Sequence, residues 1–364
     1  MRIAVYGSSL VSAYWNGAAT YYRGLFRALA ALGHGIVFYE PDAYDRQQHR
    51  DIDPPPWAEV RVWPATPDGM RAVCAAAAAA DAVIKCSGVG VFDTELLAGT
   101  LAAARPEAVL VFLDVDAPAT LAEMAAAPDH PVRRALRLLD HVMTYGGGDP
   151  VVRAYRGFGA RACTPVYNAL DPATHHPAPP EARFAADLAL LANRLPDREA
   201  RVEEFFLRPA ALLPEHRFLL GGAGWGDKPV PDNVHRLGHV PTAAHNALNA
   251  SALAVLNVAR DSMAATGFSP ATRVFEAAGA GACLITDAWD GIELFLQPEE
   301  EVLVARDGTD VARQLGALTP ARAAAIGARA LERVRREHTY ERRAALVDAL
   351  LRQALAAKRA RSAA

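Results

Sequence analysis

Ile3-Ala4-Val5-Tyr6, then Gly7-Ser8-Ser9, then a helical period over 22–32 that stops at Gly33-His34, then Ile36-Val37-Phe38-Tyr39: the opening reads strand, loop, helix, strand. Leu25, Phe26, Leu29 and Leu32 recur at helical spacing. Two short apolar strands joined by such a helix make a right-handed βαβ unit with parallel strands. The alternation continues. Strands are expected at 60–63, 82–85, 108–113, 141–144 and 163–167, with helices at 70–80, 94–104, 132–139 and 150–158. Residues 171–180 are proline-rich with no apolar period and read as a linker. A second alternating set follows, with strands at 188–191, 217–220, 234–237, 253–258 and 283–286 and helices at 199–207, 242–251 and 270–279. Helices at 319–337 and 340–359 close the chain.

This pattern predicts an α/β fold of two doubly wound, Rossmann-like domains facing each other. The expected division is 1–168, 169–340, and a C-terminal helix over 341–364 able to pack back on the first domain. Ligands of open parallel sheets sit beyond the carboxyl ends of the strands, so a cleft between the domains is the expected site. At 364 residues, 52% hydrophobic and 22% charged, the chain can fill two cores. A net charge of -3 argues against nucleic acid or an anionic membrane as partner. The start reads as a strand, not a signal peptide, and no apolar run reaches a membrane span. Cys74, Cys86, Cys163 and Cys283 are scattered in apolar contexts, as buried thiols in a reducing cytoplasm would be. Oligomeric state is not legible.

The most informative stretch for function is Gly267-Phe268-Ser269-Pro270-Ala271-Thr272-Arg273-Val274-Phe275-Glu276. Ser269 then Pro270 predicts a capped helix start. Such a start offers N–H groups and partial positive charge to a phosphate, and Arg273 adds a full charge. Glu276 falls on the same face, where a carboxylate can accept from two adjacent hydroxyls of a ribose. The competing reading is an ordinary Arg–Glu surface pair on a capped helix.

Residues 268–287, with Gly291-Ile292-Glu293-Leu294-Phe295 and Glu301-Val302-Leu303-Val304, resemble the C-terminal domain of CgeB-type, spore-maturation-like glycosyltransferases, relatives of family four with the GT-B architecture. Asn16-Gly17-Ala18-Ala19-Thr20, Leu32-Gly33-His34, Tyr167-Asn168-Ala169-Leu170-Asp171 and Asn193-Arg194-Leu195-Pro196-Asp197-Arg198 resemble further segments of these enzymes, in the correct order. The resemblance implies a nucleoside-diphosphate-sugar donor of UDP or dTDP type, a separate small-molecule acceptor, and no tightly bound cofactor or metal. It implies that Glu276 holds the ribose, and that Ser269, Thr272 and the helix start hold the diphosphate. Arg194 and Arg198 would neutralise the leaving group, and Leu237-Gly238-His239-Val240 would contact the base. One departure stands out: many family-four enzymes carry a glutamate eight residues before the ribose glutamate, and Phe268 occupies that position here.

In the first domain, Asp114 and Asp116 end the most apolar strand and would leave the same face if the chain stayed extended. One could act as general base. The alternatives are a metal-binding DxD or a pair of loop-capping aspartates. Asn16, Gly17, Tyr14 and Trp15 are candidates for the cleft wall, and Lys85-Cys86-Ser87-Gly88-Val89-Gly90 and Tyr145-Gly146-Gly147-Gly148 for the acceptor side. His34 reads as structural. His175-His176 have no cysteine or acidic partner at ligand spacing, which argues against a metal there. His239 and His245 lie near the expected base pocket. A nicotinamide dehydrogenase needs G-x-G-x-x-G, and neither Gly7-Ser8-Ser9-Leu10 nor Gly222-Ala223-Gly224-Trp225-Gly226-Asp227 supplies it. A nucleotide-sugar epimerase and a non-catalytic nucleotide-binding relative remain as rivals.

Overall fold

The computed structural model describes residues 1–14 and 16–362. The chain forms two compact units, one of residues 1–167 with 340 onward, the other Asn168–Thr339. Among the described residues the first unit carries β1 Arg2–Tyr6, β2 Gly35–Asp42, β3 Ala58–Pro64, β4 Ala82–Cys86, β5 Val109–Asp114, β6 His141–Thr144 and β7 Cys163–Pro165. They form one parallel sheet in the order β3-β2-β1-β4-β5-β6-β7. The second unit carries β8 Ala186–Leu191, β9 Phe218–Gly221, β10 Val234–Gly238, β11 Ala252–Asn257, β12 Leu284–Asp287 and β13 Leu303–Ala305, in the order β10-β9-β8-β11-β12-β13. Each is a doubly wound sheet. The central strands are near-continuous apolar runs, as strands covered on both faces must be. Ile3 to Tyr6 and all of β4 are buried.

Several elements differ from the sequence reading. The proline-rich run is no free linker. Asp171 Oδ1 accepts from the Ala173 amide and Oδ2 from the Thr174 hydroxyl, both at 3.0 Å, while the Leu170 amide donates to His338 O at 2.8 Å. The short side chain of Asp171 folds the segment into a turn on the second unit. The helix expected at 199–207 starts early, at Pro196–Val202, and passes through a widened π turn, Glu203–Leu207, into Arg208–Leu212. The helices Ala117–Ala126, Asp261–Thr266 and Gly308–Gly316, and strand β13, are elements that the sequence reading does not contain.

The C-terminal helix, Tyr340–Ser362, packs on the helix Ala19–Ala31 of the first unit. Tyr340 is fully buried, and a Cβ at Gly24 would stand 2.1 Å from its ring. His34 Nε2 meets Asp348 at 2.7 Å, so His34 is structural. We expect Gly24→Ala to cost about 1–3 kcal/mol by overpacking, a fall of several degrees in melting temperature. An unchanged melt would show that this contact is loose. All four cysteines are free and buried. Among the described residues no helix is long and apolar enough to cross a membrane.

Candidate active site

In the second unit the chain runs outward from β8 through β9 to β10, then returns to the far side of β8 as β11. That reversal leaves a crevice beyond the carboxyl ends of β8 and β11. Three segments meet there: the loop after β8, the loop after β11, and the start of the helix Thr272–Gly279.

The last is held by a tight loop. Gly267 has φ +70° and Phe268 φ +50°, and the Phe268 amide donates to Asp290 O at 2.6 Å. A Cβ at Gly267 would fall 2.8 Å from Asp290 Cβ, so glycine is required. Ser269 is not the expected cap. It is buried, and its hydroxyl donates back to Gly267 O at 2.9 Å. The helix starts at Thr272, not Pro270, with Ala271 at the N-cap and no side chain capping it. Its first N–H groups are therefore not matched by a capping side chain, which suits an anion.

Guanidinium groups gather beside that helix end. Arg273 Nη1 lies 3.2 Å from Glu276 Oε2, and both side chains are nearly buried, at 13% and 11% exposure. The surface-pair alternative therefore fails. Arg273 Nη2 also lies 3.4 Å from Leu191 O at the end of β8. Arg198 Nη2 donates to Asn193 O at 2.6 Å. Arg198 Nε and Arg273 Nε are buried and meet no hydrogen-bond acceptor among the described residues. Burial pulls the Arg198 pKa below its ordinary value; Asp197 and Asp287 oppose this, while Arg260 and Arg273 reinforce it. Arg260, just after β11, pairs with Asp197. It was missed in the sequence, where its only signal is its place after a strand. Arg201 meets the buried Asp287 at 2.5 Å, and Asp287 in turn accepts the Ala259 amide at 3.1 Å. This pins the loop after β11 against the helix after β8.

Glu276 is buried beside Arg273, His175 and His245. Burial alone would raise its pKa, but Arg273, the two histidines and the Thr272 hydroxyl hold it below the usual range. Burial, with Arg273, lowers His245 to about 4. His175, read as having no acidic partner at ligand spacing, stands beside Glu276, which the fold supplies from a helix a hundred residues on.

Other candidates are placed elsewhere. Arg194 is committed to Glu199 at 2.8 Å and Asp227 at 3.0 Å, and with Lys228 it holds Glu199 down at about 2. Its charge is already answered. Gly238 and His239 are exposed at the end of the edge strand β10, and Gly238 O accepts from the Gly222 amide at 2.7 Å. Asn16 is buried; it accepts from Ser8 Oγ and donates to Ser9 O and Ser12 O, so its amide braces the loop after β1. Gly17 is exposed, and a Cβ there would meet nothing within 4 Å among the described residues. Tyr14 stacks on His49, with centroids 4.1 Å apart; Trp15 lies outside the described residues.

Asp114 is fully buried and accepts from Ser87 Oγ, Thr120 Oγ1, Tyr155 Oη and the Asp116 amide, at 2.5–3.1 Å. Burial raises its pKa against those four bonds. Asp116 has left the strand and stands at the N-cap of the helix Ala117–Ala126. Asp114 thus ties the ends of β4 and β5 together and is not exposed to act as a base, while the Asp116 side chain does not cap the helix it precedes. Asp114→Ala, which strips the acceptor from four donors, should lower stability by at least about 3 kcal/mol. Unaltered thermal unfolding would return Asp114 to the list of reactive groups.

Residues 198–349 match the family model described as glycosyl transferase-like. This stretch is a glycosyltransferase family domain. It contains Arg198, Arg260, Ser269, Thr272, Arg273 and Glu276, together with β9 to β13. Comparison with curated proteins finds no match. Solved structures resemble the whole chain. Sucrose-phosphate synthase from Thermosynechococcus elongatus superposes with a TM-score of 0.74 at 16% identity, covering 98% of this chain and 100% of that one. HepE from Anabaena, in complex with UDP and glucose, gives 0.66 at 14%, covering 97% and 100%. AviGT4, a glycosyltransferase of avilamycin A biosynthesis, gives 0.61 at 18%, covering 98% of each. The glycosyltransferase domain therefore belongs to a chain whose two parallel-sheet units have the GT-B fold.

Proposed function

We propose that this chain moves a sugar from a nucleoside-diphosphate sugar of UDP type to a separate acceptor, without a metal ion, as a CgeB-type glycosyltransferase. The observation that carries the reading is the set of guanidiniums Arg198, Arg260 and Arg273 at the switch between β8 and β11, with buried N–H groups on Arg198 and Arg273 that meet no acceptor among the described residues. Buried donors of this kind are costly unless an anion or water answers them. A diphosphate answers them with several oxygens at once. The N–H groups at the start of the helix Thr272–Gly279 add to that field.

The chemistry follows. When the bond from the anomeric carbon to the diphosphate oxygen breaks, negative charge grows on the departing nucleoside diphosphate. Fixed cations and N–H groups stabilise that charge most in the transition state. Glu276 holds Arg273 in place and offers carboxylate oxygen to the ribose hydroxyls. The solved relatives named with UDP, or with UDP-glucose as for the DNA-modifying β-glucosyltransferase, are consistent with a uridine donor.

Calorimetry with UDP, UMP and uridine tests this. UDP should bind about 100-fold or more tightly than uridine, with or without EDTA. Equal affinities would remove the anion site and the proposal with it. Release of UDP from UDP-glucose, assayed with candidate acceptors, tests the transfer step.

A further inference from the structure

We propose that His175, His245 and Glu276 form a binding site for a divalent transition-metal ion, and that an ion held there excludes the nucleotide-sugar donor. One nitrogen of each imidazole and one Glu276 oxygen lie within 4.8 Å of one another. Ligand atoms around a zinc-like ion stand about 2.0–2.2 Å from it, hence at most about 4.4 Å apart, so the set closes with small side-chain shifts.

The proton positions favour ligation. His245 Nε2 lies 3.2 Å from Val240 O, which can only accept. That nitrogen therefore carries the proton, and Nδ1 keeps its lone pair, the arrangement usual for a metal-bound imidazole. His245 Nδ1 and His175 Nε2 are both buried, with no hydrogen-bond partner among the described residues. His175 itself is only 3% exposed.

The three groups come from rigid elements. The turn bearing His175 is closed by Asp171 and locked to the helix Thr242–Ser251, because Asn246 Nδ2 donates to Thr174 O at 2.9 Å. His245 is next to Asn246 on that helix, and Glu276 stands on Thr272–Gly279. Arg273 faces the cluster through Glu276 and opposes a cation. Two imidazoles and one carboxylate beside a guanidinium suit Zn²⁺ or Co²⁺ rather than Mg²⁺. The competition with donor rests on the reading of Glu276 as the ribose group; the ion site does not.

The test is titration of the full chain with Co²⁺, followed by visible absorption, with Zn²⁺ as displacing ion. We expect one Co²⁺ per chain. His175→Ala and His245→Gln should each weaken it by more than about 100-fold, since even outer-shell partners of a metal cost 10–100-fold. Metal-free melting curves identify which variants keep their fold, and the partly exposed His245 supplies the test if His175→Ala does not. No Co²⁺ binding, or equal binding by a folded variant, overturns the site. In wild type, Zn²⁺ should raise the apparent Kd for UDP; in His245→Gln it should not. Ion binding through the histidines with UDP affinity indifferent to Zn²⁺ would uphold the site and overturn the exclusion. Failure of UDP to bind the metal-free protein would instead count against the proposed function, with the Co²⁺ result standing.

Discussion

Glu276→Ala should weaken UDP binding by about 100-fold or more, roughly 2.7 kcal/mol. The variant should also melt earlier. Two effects add. On the proposed reading the ribose loses a charged acceptor, and a hydrogen bond to a charged group contributes about 1.5–3 kcal/mol. Arg273 loses its buried counter-ion at 3.2 Å, and breaking such a pair costs about 3–5 kcal/mol of stability. Glu276→Gln keeps the shape and should fall between the two. Calorimetry well below the melting transition separates binding from folding. Unchanged UDP affinity in a folded Glu276→Ala protein would remove Glu276 from the donor site.

Arg198→Ala should act on a different step. Its guanidinium is half-buried beside Arg260 and Arg273, and its Nε meets no acceptor among the described residues. If it stabilises charge on the departing diphosphate, its loss should cut kcat by about 10²–10³, as removal of one preorganised donor does elsewhere. UDP affinity should change by less than about tenfold. Equal losses in kcat and in UDP binding would make Arg198 a ground-state binding residue.

Much of the fold was legible from local pattern. The apolar runs of β1, β4, β5 and β11 and the helices between them signal parallel strands because both faces of such a sheet are covered. The short elements were not legible. Asp261–Thr266 and β13 have too few residues for a period to show. The site was legible in part. Arg198, Thr272, Arg273 and Glu276 stand in loops after strands or at a helix start, which the topology marks as functional. Arg260 obeys the same rule but has no motif around it.

Two of the misreadings involve a partner remote in sequence, and the third, at Ser269, comes from a local turn. Asp114 looked reactive until Tyr155, 41 residues on, proved to be among its donors. Arg194 looked available until Asp227 and Glu199 proved to hold it. Ser269 looked like a cap until the left-handed turn at Gly267 turned its hydroxyl back.

The order of residues alone determined two alternating βα runs and the places where catalytic groups could stand, because backbone periodicity and helix caps act over a few residues. Only the tertiary structure decided which charges are already answered. It gave the hydroxyls and the amide around Asp114 their acceptor, and left buried N–H groups of Arg198 and Arg273 without one among the described residues. It also brought His175 and His245 to Glu276. Pairing across a hundred residues depends on how helices pack against a sheet, and no local pattern encodes that.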